Sequence, residues 1–242
     1  LEPRWKVLTV DGQSPIHKDF NPESYLLKVP VGIAGEANLV RAVAGLYGPA
    51  SEAPLLPASN RDPDRLTVVA MTGVTALVRA TAFSMEQSGL LYPGRDVGAW
   101  LREADLTHIS NEVPFAEGCP YPNPVQADVR FCSDPRYIAL LEDVGTDIVE
   151  LTGDHFQDWG NAAMLYTLEL YREREWPYYG GGENQEDARR PALIEHNGNR
   201  LAFIGCNAKG GGFAQAGPDH PGAVVCGDWM SVEIARLRAE GY

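Results

Sequence analysis

The segment Thr152-Gly153-Asp154-His155-Phe156-Gln157-Asp158-Trp159-Gly160 places two carboxylates and an imidazole within five residues, directly after an apolar stretch that ends at Leu151. Oxygen and nitrogen donors in this combination suit Mn²⁺, Fe or Zn²⁺, and a carboxylate beside an imidazole also suits general acid/base work. Asp154 and His155 are therefore candidate catalytic groups and candidate metal ligands. Asp158 stands where a helix beginning near Asn161 wants an N-cap, and it is assigned to that structural duty. A second polar segment, Ser110-Asn111-Glu112-Val113-Pro114, follows another apolar stretch. Glu112 is its candidate metal ligand and Asn111 a candidate cofactor-binding helper; the alternative is a structural turn fixed by Pro114. A third segment, Thr72-Gly73-Val74-Thr75, is read as a loop after the first apolar run and carries no ionisable side chain.

Other polar features carry less chemistry. His17 and His196 fall in turns, His108 inside a strand and His220 in the loop closed by the second cysteine pair, and all four are read as structural or solvated. Gly180-Gly181-Gly182 and Gly210-Gly211-Gly212 lack the Lys-Ser/Thr of a P-loop and the spacing of a dinucleotide fingerprint, so they are read as flexible turns. No G-x-S-x-G elbow or Ser-His-Asp set is present.

The elements that must position these loops follow from periodicity. From Leu66 onward, apolar runs alternate with helical patterns: a strand over Leu66 to Met71, helices around Leu77 to Met85 and Val97 to Ala104, a strand into Ser110, a helix over Tyr137 to Val144, a strand over Asp147 to Leu151, and a helix over Met164 to Arg174 with Leu165, Leu168 and Tyr171 as its apolar positions. A hairpin follows, with Ala192 to Glu195 and Leu201 to Gly205 joined by His196-Asn197-Gly198-Asn199, and then a helix over Asp228 to Glu240. Such alternation predicts an α/β domain with a mainly parallel sheet, in which ligands bind beyond the carboxyl ends of the strands. No strand is expected after the last helix, so the domain is expected to be C-terminally incomplete. Residues 1–65 read instead as a β-rich tail and linker.

Composition narrows the partners. A net charge of −13 repels nucleic acid and anionic membrane, which excludes both as leading partners. No run of about 18 apolar residues could span a bilayer, and the first residues do not resemble a signal peptide, so any membrane attachment would run through a segment outside this sequence. Cys119 with Cys132 and Cys206 with Cys226 each enclose a loop rich in Gly, Pro and polar residues. These are read as two disulfides formed in an oxidising compartment, with four reduced thiols as the alternative.

The order of segments, namely Ala104-Asp105-Leu106, Ser110-Asn111-Glu112-Val113-Pro114, Gly145-Thr146-Asp147, Gly153-Asp154-His155, Asp158-Trp159-Gly160, Tyr179-Gly180-Gly181-Gly182 and Arg190-Pro191-Ala192, resembles the bacterial capsule-synthesis (CapA, poly-γ-glutamate synthesis) family from about residue 66 to the end. The resemblance implies a layered α/β sandwich like that of calcineurin-type metallophosphoesterases, with a divalent-metal site at the strand ends held by Glu112, Asp154 and His155 and helped by Asn111. It implies a cell-surface or extracellular protein of polymer biosynthesis, acting by metal-dependent hydrolysis or transfer on an envelope polymer or a small phosphorylated or peptidic substrate, alongside other envelope-biosynthesis proteins. Val74 departs from the family, which has Asp after this glycine, and the later histidine motifs have no counterpart. The alternative is a non-catalytic binding or scaffold module of the same fold. In the tail, Val10-Asp11-Gly12-Gln13-Ser14-Pro15 and Tyr25-Leu26-Leu27 resemble the closing segment of phosphate-type solute-binding proteins.

Overall fold

The structure, a computed structural model, describes residues 21, 24–25, 35–47, 63–210, 212 and 214–242. The chain divides into two compact units, Leu1–Val68 and Val69–Tyr242. In the first, the described residues include an α-helix, α1 (Ala37–Tyr47), where a β-rich tail was expected. Its sequence ANLVRAVAGLY is rich in helix formers and contains no proline, which explains the helix. The segment resembling a solute-binding protein lies almost entirely outside the described residues.

The second unit is an α/β domain. It runs β1 (Val69–Thr75), α2 (Arg79–Ser88), α3 (Gly98–Glu103), β2 (Leu106–Asn111), α4 (Ile138–Asp143), β3 (Ile148–Glu150), α5 (Gly160–Glu173), β4 (Tyr178–Tyr179), β5 (Gly181–Gly182), α6 (Gln185–Arg189), β6 (Ala192–His196), β7 (Asn199–Phe203), β8 (Gly222–Ala223) and α7 (Trp229–Ala239). Strands β1 to β4 form one parallel sheet in sequence order. β6 and β7 form the expected antiparallel hairpin, and β5 pairs with β8.

Strand alternation sorts β2 between two layers. Ile109 joins Val149 and Leu151 in the main core with Met85 of α2, Leu141 of α4 and Met164, Leu168 and Tyr171 of α5. Neighbouring Ile148 points the other way and packs with Tyr179, Ala192 and Phe203, so the hairpin covers the second face. Helices, sheet and hairpin thus make the layered α/β arrangement that the sequence predicts. On α5 the buried stripe is Ala163, Met164, Thr167, Leu168, Leu170 and Tyr171, whereas Leu165 is exposed. Each large apolar side chain on that stripe contributes about 1.5–3 kcal/mol by leaving water.

Two expectations change here. β1 starts later than expected and continues through Thr72-Gly73-Val74-Thr75, so this segment is strand and not loop; the register slips between Met71 and Val74, as happens where a glycine weakens a strand. Gly181-Gly182 is a tightly packed strand and not a flexible turn, because a Cβ on Gly181 would meet the Leu151 carbonyl oxygen at 2.7 Å. The two disulfides, Cys119–Cys132 and Cys206–Cys226, form as expected.

His108 of β2 lies between sheet and hairpin, only 1% exposed, with Nε2 2.7 Å from the Tyr179 hydroxyl. Its Nδ1 has no hydrogen-bond partner among the described residues. Burial lowers its pKa below the ordinary 6.5, against the opposing pull of Glu150. The unfolded chain therefore takes up a proton at a higher pH than the folded one does, and stability must fall as pH drops below 6.5. Denaturant unfolding from pH 8 to pH 5 should show that decline, and His108→Gln, which keeps a polar partner for Tyr179 without titrating, should flatten it. An equal slope in both proteins would contradict this role.

Candidate metal centre

Parallel pairing of β2 with β3 fixes where the site falls. With His108, Ile109 and Ser110 opposite Ile148, Val149 and Glu150, both strands end at the same edge of the sheet. Glu112 follows one strand, and Thr152-Gly153-Asp154-His155 follows the other. The two loops touch at Gly153, where an added Cβ would lie 2.6 Å from Glu112 Cγ and 2.8 Å from its Cα. Only a residue without a side chain allows that approach.

As a result, one ligand atom each from Glu112, Asp154 and His155 lies within 4.8 Å of the others. Donors about 2.1 Å from one ion at tetrahedral angles sit about 3.4 Å apart, so the three side chains must draw together, by up to about 1.4 Å, to share an ion. Two carboxylates and one imidazole suit Mn²⁺, Fe or Zn²⁺ and leave positions open for water or substrate. The donor set fits a divalent cation.

The electrostatics separate the two carboxylates. Burial raises the Glu112 pKa, and the neighbouring Asp154 adds to the shift, although His155 opposes it. Burial also pushes Asp154 up, but the Lys209 ammonium 2.6 Å from its Oδ2, together with His155, outweighs this and leaves its pKa below the usual value. Lys209 comes from the loop beyond β7, its side chain 65% exposed, and it already neutralises part of the charge a metal would meet.

Asp158 differs from its expected role. The helix N-cap is Trp159, which makes no side-chain cap bond. Asp158 Oδ2 instead lies 2.7 Å from His155 Nδ1 and accepts a hydrogen bond from the Phe131 N–H at 2.9 Å. A carboxylate can only accept, so it holds the proton on Nδ1 and leaves Nε2 with its lone pair free for the cluster. Asn111, expected as a helper, is 1% exposed, and its Nδ2 donates to the Val113 carbonyl and the Tyr171 hydroxyl. Its side chain is turned into the helix layer, where it anchors the end of β2. Val74, 66% exposed on β1, offers no donor, so among the described residues the ligand set comes from the β2 and β3 loops.

A parallel four-stranded sheet with an acid–histidine cluster on its carboxyl edge defines an α/β protein of the metallophosphoesterase-like kind. The model of the bacterial capsule synthesis protein PGA_cap family matches residues 68–226, and the chain belongs to that family. It is similar to the capsule biosynthesis protein CapA of Bacillus anthracis, with 22% identity over 169 residues, covering 69% of this chain and 41% of that protein. The chain thus spans less than half the length of that relative.

Gly153 yields a direct test of the geometry. Gly153→Ala should cost roughly 1–3 kcal/mol of stability by overpacking against Glu112, read by denaturant unfolding. Stability equal to that of the unaltered chain would mean that the two loops do not meet.

Proposed function

We propose that this domain is a metal-dependent hydrolase or transferase of the cell surface, acting in capsule or poly-γ-glutamate-type polymer biosynthesis on a phosphate- or peptide-linked envelope polymer. The observation that carries the reading is the convergence of Glu112, Asp154 and His155 within 4.8 Å at one sheet edge. Family membership and two disulfides, which persist in oxidising surroundings, support the polymer and the location. No described helix is long and apolar enough to cross a membrane.

A divalent cation on these residues would polarise the scissile group or lower the pKa of a water. Glu112, Asp154 and the Nε2 of His155 would hold it. Asp158 keeps His155 in the right tautomer through Nδ1. Burial raises the pKa of Glu112 in the metal-free chain, so cation binding there would displace a proton and should strengthen as pH rises. Lys209, freed from Asp154 when the cation enters, would face the anionic part of the substrate.

A second reading has its own observation. Lys209 already pairs with Asp154, and Val74 supplies no ligand, which suits a binding or scaffold module that carries the fold without a metal.

Calorimetric titration with Mn²⁺ and an assay with a chromogenic phosphodiester separate the two. The hydrolase reading predicts Mn²⁺ binding and turnover that chelation abolishes. Asp158→Asn should lower metal affinity about 10–100-fold, as loss of such an outer partner does, and His155→Ala should lower it further. Absence of both Mn²⁺ binding and His155-dependent turnover would favour the scaffold.

A further inference from the structure

Phe131 lines a groove of about 310 Å³ walled by the loop that the Cys119–Cys132 disulfide closes. Arg79, Arg130 and Asp128 line it with the rings of Tyr121, Phe131 and Trp159. The Phe131 ring meets the His155 ring edge-to-face at 4.9 Å. The Phe131 N–H donates to the same Asp158 oxygen that holds His155. Phe131 therefore lines the groove and also touches the imidazole of the candidate metal centre.

Its two guanidiniums are placed in an unusual way for so acidic a chain. With 33 acidic residues against 20 basic ones, a cation readily finds a carboxylate. Arg79 and Arg130 instead spend their bonds on backbone: Arg79 donates through Nε and Nη2 to the Gln126 carbonyl, and Arg130 donates through Nε to the Asp158 carbonyl. Each guanidinium also lies over a ring of the groove, Arg79 over Phe131 at 5.4 Å and Arg130 over Trp159 at 5.0 Å. Ring and carbonyl fix the plane of each group and leave further N–H donors available, since a guanidinium has five. A planar donor edge held in this way suits the paired oxygens of a carboxylate or phosphate. Arg79 holds this position with φ +51, a conformation unfavourable for a residue with a Cβ.

We infer that this groove binds a short acidic segment of the ligand, with one oxyanion group on Arg79, another on Arg130, and the apolar part between them on Phe131 and Trp159. The oxyanions are carboxylates or phosphates. The Asp128 carboxylate on the wall limits how many charges the groove can meet at once, so the part of the ligand seated there carries few, spaced to meet the two arginines. The inference deepens the proposed function and rests on it, because the neighbouring cluster as reacting centre is what gives the groove a use.

The test is fluorescence anisotropy with a labelled peptide of three glutamates, on the full chain without metal and at low salt. The peptide should bind, weaken as salt rises, and lose about tenfold in affinity in each of Arg79→Gln and Arg130→Gln. Arg95→Gln, which removes a guanidinium already paired with Asp96, should bind like the unaltered chain. Unlabelled pyrophosphate that displaces the peptide would add phosphate to the accepted groups, and failure to displace it would restrict the groove to carboxylates. His155→Ala should retain peptide binding, so loss of the metal function leaves this result standing. Arg130 touches the loop that holds His155, and Arg79→Gln is therefore the deciding variant. Unchanged affinity in Arg79→Gln, or no peptide or pyrophosphate binding by the unaltered chain, would overturn the inference.

Discussion

The site depends on the contact between Gly153 and Glu112. Parallel pairing of β2 and β3 brings both loops to one edge, but a shared edge alone leaves neighbouring strands about 4.8 Å apart and their loops free to diverge. A missing side chain at 153 removes that freedom by letting backbone rest on backbone, and the carboxylate of one loop then faces the carboxylate and imidazole of the next. The remaining features of the site, from the Asp158 brace to the Lys209 ammonium, act on a cluster that this contact has already assembled.

Close assembly of like charges has an electrostatic cost, and the structure meets it unevenly. Lys209 and His155 stabilise the charge on Asp154, whereas burial works against the charge on Glu112. Two adjacent carboxyls with opposite pKa shifts differ in what metal binding asks of them, since Asp154 is already held as an anion and Glu112 would have to give up its proton more readily than burial allows. The same imbalance favours any cation that can replace the lone ammonium, because a divalent ion would relieve Glu112 as well. Asp158 links the cluster to the arginine groove, because it pairs with His155 and accepts hydrogen bonds from the groove residues Phe131 and Arg130, so the same few bonds orient the imidazole and hold that wall of the groove.

Much of this was legible in the sequence, for physical reasons that differ from residue to residue. The runs before Ser110 and Thr152 are short and broken by Thr107, His108 and Glu150, but each follows a helical pattern, and that alternation made their strand character and parallel arrangement readable, and with them the meeting of Glu112 with Asp154 and His155. Asn111 could have been placed by parity: Ile109 faces the helices, and two residues on a strand return to the same face. Asp158 could not be placed that way, because its spacing suits a helix cap equally well and its bond to Phe131 crosses 27 residues of chain. Lys209, 55 residues from Asp154, gives no local signal at all. The helix Ala37–Tyr47 was missed because its composition was read together with its proline-rich surroundings, and Gly181-Gly182 because a run of glycine looks the same whether it bends freely or packs tightly.

Anomalous scattering from crystals soaked in Mn²⁺ would test the central claim most directly. The account predicts a single strong peak about 2.2 Å from a carboxylate oxygen of Glu112, a carboxylate oxygen of Asp154 and Nε2 of His155, with the Lys209 ammonium moved away from Asp154. A peak held by other residues, or no peak while Lys209 stays paired with Asp154, would contradict it.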